Sequence, residues 1–126
     1  MTRLIAAQVL PESLPYWQAA DRGELLLKGC RACGQVHHYP RDVCPFCLSA
    51  DTEWVPASGR GTLYSYSTMG AGDKAYTLAY VTLAEGVTLM TRMVDCDPAQ
   101  LHVDMPVRVV FRPSQGGPAV PVFAPA

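Results

Sequence analysis

Two Cys-x-x-Cys pairs, Cys30/Cys33 and Cys44/Cys47, constrain the fold of this chain more than any other feature of its sequence. A two-residue gap lets both thiolates of one turn reach the same metal ion, and two such turns supply the tetrahedral shell that zinc prefers at structural sites. Gly34 follows the first pair and suits a tight turn that exposes backbone N–H groups to the sulfurs. The sequence therefore predicts a metal site whose four ligands are Cys30, Cys33, Cys44 and Cys47.

Other uses of the same cysteines are two disulfides or a redox pair. A redox Cys-x-x-Cys normally opens a helix, whose N-terminus lowers the thiol pKa, but here Gly34 and a short β-like run follow the first pair. The Cys-x-x-Cys-Gly and Cys-Pro-x-Cys turns also resemble those of rubredoxins, which hold iron, although the gap between the pairs is short for a rubredoxin. We expect one structural zinc ion, with iron as the alternative, and no coordination position left open for catalysis.

Short β-like runs flank the cysteine turns at residues 25–29, 36–39 and 52–55. The order strand, knuckle, strand, knuckle, strand is that of a zinc ribbon, in which the metal could contribute roughly 10–16 kcal/mol to folding. His37 and His38 lie between the two cysteine pairs, but four thiolates already complete the shell. We therefore do not expect either histidine to be a metal ligand.

Charge and composition limit the function classes. The 126 residues include 10 basic and 11 acidic side chains, and this balance argues against a nucleic-acid binder, which usually carries a basic excess. No apolar run approaches the ~20 residues of a membrane span, and the opening ten residues, interrupted by Gln8, make a poor signal peptide. Metal-spaced cysteines fit a reducing compartment, so the expected location is the cytoplasm, without a membrane segment.

A short helix is predicted before the ribbon, capped by Ser13 and running from about residue 14 to residue 22, with Gly23 as its end. Tyr16 and Trp17 are its large side chains. They could pack on the rest of the protein. Alternatively they could be exposed anchors for a partner, since a short helix this close to a terminus has little core to rest on. Both residues are therefore candidates for a partner interface.

The pattern changes after Gly59, where five β-like runs follow one another. They cover residues 62–69, 76–83, 87–94, 107–112 and 120–123, with a helical turn at 97–101 after the third run. Because Pro121 lacks a donor for a strand ladder, the last run is predicted to be an edge strand. Five strands with a helical turn after the third fit a small Greek-key barrel of the OB type.

The predicted fold is therefore mainly β. It has an N-terminal arm and helix over residues 1–24, a rubredoxin-like zinc ribbon over 25–56 and a five-stranded OB-type barrel over 57–126. A ribbon of some thirty residues is too small to be stable by its apolar core alone, and the metal would supply the missing stability.

Cys96 is the one cysteine outside the two pairs, and so it is the one candidate nucleophile of this type. It lies between Asp95 and Asp97, whose charges would raise the thiol pKa and weaken it as a nucleophile. We therefore expect a structural cysteine, while an independent enzyme that uses Cys96 remains an alternative. His102 has no evident carboxylate and nucleophile near it in the sequence.

Two surface features of the barrel suggest ligands. The glycine-rich loop at residues 70–74 could offer N–H groups and a lysine to a CoA phosphate, although a plain hairpin tip is the simpler interpretation. Four tyrosines could form an aromatic face that stacks nucleic-acid bases, or that is buried under a partner or the ribbon; they are Tyr64, Tyr66, Tyr76 and Tyr80. A single-stranded nucleic-acid-binding module is thus the second interpretation of function.

The ordered set of motifs resembles one family, the acyl-CoA-associated zinc-ribbon/OB-fold proteins long catalogued as a domain of unknown function. The matching segments are, in chain order, Tyr16-Trp17, residues 23–27, the two cysteine knuckles, residues 59–65, residues 96–98 and residues 105–107. One departure is Leu48, since the family often has glycine there. This difference affects the second knuckle's turn but not its ligands.

The resemblance implies a partner rather than a stand-alone enzyme. Members of the family associate with thiolase-fold enzymes, which include acyl-CoA thiolases, acyltransferases and the aldolases that shorten steroid side chains; others pair with hot-dog-fold hydratases. The resemblance thus implies a non-catalytic scaffold subunit of a heteromeric complex in lipid metabolism. The nucleophile would belong to the partner, and acyl-CoA would be reached through the partner.

Overall fold

The structure, a computed structural model, describes Leu4 and residues 7–126. These residues form one α-helix, α1 (Leu14–Asp21), and eight strands. The strands are β1 (Leu26–Cys30), β2 (Val36–His37), β3 (Thr52–Pro56), β4 (Arg60–Met69), β5 (Tyr76–Leu83), β6 (Thr88–Met93), β7 (Pro106–Arg112) and β8 (Val120–Pro125). Short 3₁₀ turns lie at Pro11–Ser13, Gly72–Lys74 and Pro98–Gln100.

Helix α1 ends where the sequence predicts. Gly23 adopts φ 77° after its last turn, and the Glu24 amide donates to the Ala19 carbonyl at 2.9 Å, which closes the C-terminus. Its start differs in detail, because the preceding 3₁₀ turn gives Ser13 a helical backbone. The Ser13 hydroxyl donates to the Leu10 carbonyl at 3.2 Å instead of capping α1. The predicted capping role of Ser13 is therefore wrong.

The side chains of α1 join the main apolar core. Tyr16 and Trp17 are only 5% and 8% exposed, and their rings meet edge to face with centroids 4.9 Å apart. Leu25 and Leu27 of the ribbon and buried residues of the barrel belong to the same cluster. The expectation that this helix has little core to rest on is wrong, because the helix packs against both the ribbon and β8.

The ribbon is a three-stranded antiparallel sheet in the order β2-β1-β3. Its three strands lie where the sequence predicts them. Strand β2 is shorter than predicted because pairing with β1 stops at His37, opposite Lys28. The following residues turn towards α1, where His38 Nε2 lies 3.3 Å from the Tyr16 hydroxyl.

The second part is a closed five-stranded barrel in the order β4-β5-β6-β8-β7, which confirms the predicted OB-type fold. The long strand β4 pairs with β5 on one side and with β7 on the other, and a β-bulge lies between Leu63 and Ser65. The interior is filled by alternate residues such as Leu63, Val81 and Phe123, which are at most 1% exposed.

The predicted edge position of the last strand is wrong. Strand β8 lies inside the barrel order, antiparallel to β7 and parallel to β6. Pro121 is tolerated because its pairing with Phe111 turns its nitrogen away from β7, so no ladder hydrogen bond needs an N–H there.

Candidate metal centre

The structure brings the four predicted ligands to one point. All four sulfurs lie within 4.8 Å of one another, with 3.5 Å between those of Cys30 and Cys47 and 3.8 Å between those of Cys33 and Cys44. A tetrahedron with Zn–S bonds of about 2.3 Å has sulfur–sulfur edges of about 3.8 Å. The cluster therefore has the size and donor set for one zinc ion.

The two knuckles repeat one backbone geometry. The Gly34 amide donates to the Cys30 carbonyl at 2.8 Å, and the Leu48 amide donates to the Cys44 carbonyl at 2.9 Å. In each case the donor follows a cysteine pair and has a positive φ, 76° at Gly34 and 67° at Leu48. The closing residue of each turn must therefore adopt the left-handed conformation that glycine accepts most easily.

Backbone amides also point at the sulfurs. The Cys33 N–H lies 3.4 Å from the Cys30 sulfur and is the main cause that lowers the pKa of this thiol to about 7. The pKa of Cys47 is raised to about 12: a backbone hydrogen bond from Ser49 lowers it, but proton sharing with Cys30 and burial outweigh that effect. A bound cation would relieve this competition because it favours all four thiolates together.

We predict that Leu48→Gly stabilises the zinc-loaded protein by about 1 kcal/mol, because a left-handed backbone costs roughly that much for a residue with a Cβ. The leucine side chain contributes little packing, being 77% exposed. Gly34→Ala is the matched control: a Cβ at Gly34 would contact nothing within 4 Å, so strain alone should destabilise the fold by a similar amount. Urea unfolding measures the free energy of unfolding of both variants. An unchanged or lower stability of Leu48→Gly would show that the left-handed backbone of Leu48 is not strained.

The two histidines of the ribbon are outside the ligand cluster, as expected from the sequence. Burial, followed by repulsion from His37, lowers the pKa of His38 to about 4, so its ring is neutral at neutral pH. Burial also raises the pKa of Tyr16, whose protonated hydroxyl meets the His38 ring. His37 is 3% exposed and packs edge to face against Phe46, with ring centroids 6.5 Å apart. His38 thus connects the ribbon to α1, whereas His37 packs within the ribbon.

Cys96 and His102, the two other reactive side chains discussed from the sequence, form no catalytic group with the described residues. Cys96 is half-buried against the core, and burial together with Asp95 and Asp97 raises its pKa. His102 is exposed, and its backbone amide contacts the Met105 sulfur at 3.5 Å. Among the described residues neither side chain makes a hydrogen bond.

The predicted face of four tyrosines is divided between two sides of the barrel. Tyr64 and Tyr80 are 64% and 47% exposed on the outside. The β4 bulge turns Tyr66 to the other side, where its hydroxyl donates to the Leu101 carbonyl at 2.8 Å. Met90, 61% exposed and paired with Tyr80, joins the outer face, and nothing in the sequence pattern marks it.

A feature that the sequence did not predict is a cavity of about 560 Å³ between β6, β8 and α1. Trp17, Met90, Arg92 and Val120 are among its lining residues. The spacing of Pro121 and Pro125 could have signalled an opening here, because prolines an even number of residues apart turn their nitrogens to the same side of a strand, where neither can donate a hydrogen bond.

The described residues form only short helices. None of their helices has the length and apolar character that crossing a bilayer requires, and α1 has only eight residues.

Comparison with known families matches most of the chain. Residues 17–53 match the family model described as the ChsH2 rubredoxin-like zinc ribbon domain, and residues 54–112 match the ChsH2 C-terminal OB-fold domain. A solved structure described as an Ltp2-ChsH2(DUF35) aldolase contains a chain that is 31% identical, with a TM-score of 0.83. The match covers 94% of the present chain and 98% of that chain.

Two curated relatives extend the comparison. A protein of Thermomonospora curvata described as a probable enoyl-CoA hydratase alpha subunit is 34% identical over 116 residues, covering 88% of this chain and 36% of that protein. The benzoylsuccinyl-CoA thiolase subunit BbsA of Geobacter metallireducens is 35% identical over 79 residues, covering 58% of this chain and 53% of that subunit. The present chain thus spans only about a third and about a half of these two relatives. Taken with both domain matches, these likenesses show that the chain belongs to the ChsH2 (DUF35) family, in which a rubredoxin-like zinc ribbon precedes an OB-fold domain.

Proposed function

We propose that this chain is a non-catalytic accessory subunit that binds a thiolase-like enzyme and supports its carbon–carbon bond chemistry on acyl-CoA substrates. The observation that carries the proposal is the near full-length likeness to a chain of an aldolase structure. The relative BbsA, named as a thiolase subunit, supports the same class of partner. We place the complex in the cytoplasm, where the five free cysteines of this chain would stay reduced.

The donor set of the chain supports a structural rather than a catalytic role. Zinc held by Cys30, Cys33, Cys44 and Cys47 would supply folding free energy, because four thiolates leave no position for a substrate. The remaining thiol, Cys96, has a raised pKa and is a poor nucleophile at neutral pH. The reacting nucleophile would therefore come from the partner enzyme.

Exposed apolar side chains on the ribbon and the adjoining helix suit a docking role. Glu12 joins the two segments, because its carboxylate accepts hydrogen bonds from the Arg41 side chain at 3.2 Å and the Asp42 amide at 3.3 Å. Large exposed apolar residues lie on the ribbon, at the start of α1 and in the segment before it, namely Val9, Leu10, Leu14, Val43, Phe46 and Leu48. Tyr16 and Trp17 are buried, so any effect they have on a partner would act through the position of α1.

Turnover of the thiolase-like enzyme with and without this chain tests the proposal. We expect the complex to turn over an acyl-CoA thioester and the enzyme alone to turn it over more slowly. The Cys96→Ser complex should keep wild-type turnover because this chain supplies no nucleophile. Loss of turnover with Cys96→Ser would contradict the non-catalytic role.

A second candidate is a single-stranded nucleic-acid-binding module, which the exposed Tyr64 and Tyr80 on an OB barrel favour. It predicts binding to an oligonucleotide that weakens steeply with salt. If the chain binds an oligonucleotide in this way and binds no enzyme, the second candidate replaces the first.

A further inference from the structure

The barrel is closed between β6 and β8 by one residue pair, Met93 opposite Phe123. The Val94 amide donates to the Phe123 carbonyl at 2.8 Å at this point. Over the part of the chain that the structure describes, no residue pairs with Thr88 or Met90 of β6 on the side that faces β8. The two strands therefore separate, and the gap opens into the cavity of about 560 Å³.

The register shows which backbone groups face this gap. In an antiparallel pair, alternate residues direct their N–H and C=O groups to the partner strand. The Leu83 amide donates to the Val87 carbonyl at 2.8 Å, so odd-numbered residues of β6 such as Leu89 face β5. Thr88 and Met90 consequently direct their N–H and C=O groups into the gap.

The two strands that border the gap differ in the backbone hydrogen-bonding groups that face it. Pro121 of β8 has no N–H, and its carbonyl accepts from the Thr91 hydroxyl at 3.5 Å. Proline is a usual device for protecting a strand edge. The edge of β6 has no such protection, since Thr88 and Met90 are both exposed and uncharged. Only β6 can therefore continue a strand ladder.

The cavity beside this edge is mainly apolar, although His38 and Thr91 also line it and Arg92 lies at one end. Trp17 and Val122 line the cavity behind it, and the buried Trp17 Nε1 has no hydrogen-bond partner among the described residues. Arg92 lies at the closed end with its guanidinium 4.6 Å from the Tyr76 ring centroid. Within the described residues Arg92 forms no ion pair, so its charge is available to an anionic group on a ligand.

We propose that the gap between β6 and β8 accepts an extended segment of the partner enzyme, which adds to the Thr88–Met90 edge as a strand and places a carboxylate against Arg92. Added strands gain affinity from main-chain hydrogen bonds and specificity from the side-chain surroundings. The unpaired backbone groups of Thr88 and Met90 would form these main-chain hydrogen bonds, and the Arg92 guanidinium would contribute to specificity. This inference rests on the proposed function, because the segment comes from the partner.

Two substitutions at one residue separate strand addition from simple side-chain contact. Met90→Pro removes the N–H that faces the gap but no hydrogen bond to β5, whereas Met90→Ala keeps the N–H and truncates the side chain. We expect Met90→Pro to weaken binding of the thiolase-like enzyme about tenfold or more and Met90→Ala less than about threefold. Arg92→Gln should weaken binding about fivefold. Zinc content and melting temperature verify that each variant is folded.

Hydrogen exchange on the wild-type complex tests the same point without a substitution, and it serves if Met90→Pro fails to fold. The Thr88 and Met90 amides should exchange more slowly in the complex than in the free chain. Unchanged exchange, or equal affinity of folded Met90→Pro, would overturn the added strand while leaving the proposed function intact. If the wild-type chain binds no thiolase-like enzyme, the proposed function itself fails and the inference fails with it.

Discussion

Cys44→Ala should unfold the ribbon and release its zinc. The Cys44 side chain is fully buried, and its sulfur lies 3.8 Å from that of Cys33. Structural zinc contributes roughly 10–16 kcal/mol to the folding of small domains, more than a ribbon of this size can replace. Metal analysis should find well below one zinc per chain, and circular dichroism should show loss of structure.

Cys96→Ser is the matched control for this prediction, because it also removes one thiol but lies outside the ligand cluster. It should retain full zinc content. We also expect Cys44→Ala to abolish co-purification with the thiolase-like enzyme, since the docking surface proposed above lies partly on the ribbon. A folded, zinc-loaded Cys44→Ala protein would contradict the four-cysteine site, and retained binding after metal loss would contradict the scaffold role of the ribbon.

Trp17→Ala should lower the free energy of unfolding by about 3–5 kcal/mol, the usual cost of truncating a buried aromatic residue. Trp17 is 8% exposed and packs on Tyr16 within the core shared by helix, ribbon and barrel. Urea unfolding of the zinc-loaded protein measures this change. Leu14→Ala in the same helix is the control, and it should cost less than about 1 kcal/mol because Leu14 is 43% exposed.

The same variant distinguishes the two interpretations of Trp17. Zinc content should be unchanged, because Trp17 does not contact the cysteine cluster. If Trp17→Ala leaves the free energy of unfolding unchanged and weakens only the complex with the enzyme, then Trp17 acts as a partner anchor and its assignment to the core is wrong.

Local features of this fold could be predicted from the sequence because short segments determine them. The spacing of Cys30 and Cys33, the turn at Gly34 and the β-like run at residues 76–83 each depend on neighbouring residues, and the structure agrees with them. The choice of zinc also followed from four cysteines in this order, and the zinc-ribbon family match supports it.

Features that depend on distant pairing could not be predicted in the same way. Pro121 suggested an edge strand, but β8 is enclosed because its partners lie on both sides of the barrel order. Tyr66 was grouped with Tyr64 by simple alternation, and the bulge in β4 reversed its side. The gap beside Met90 arises where β6 and β8 diverge, and the prolines of β8 are the one local signal of it, which does not identify the strand on the other side.

The central claim is that this chain is a zinc-bearing subunit of a heteromeric acyl-CoA enzyme. Native mass spectrometry of the tagged chain, purified from its own host without denaturant, tests this claim most directly. We expect a stoichiometric complex with a thiolase-like enzyme and one zinc ion for each copy of this chain. A free chain without an enzyme, a chain that retains an oligonucleotide, or a chain loaded with iron would contradict it.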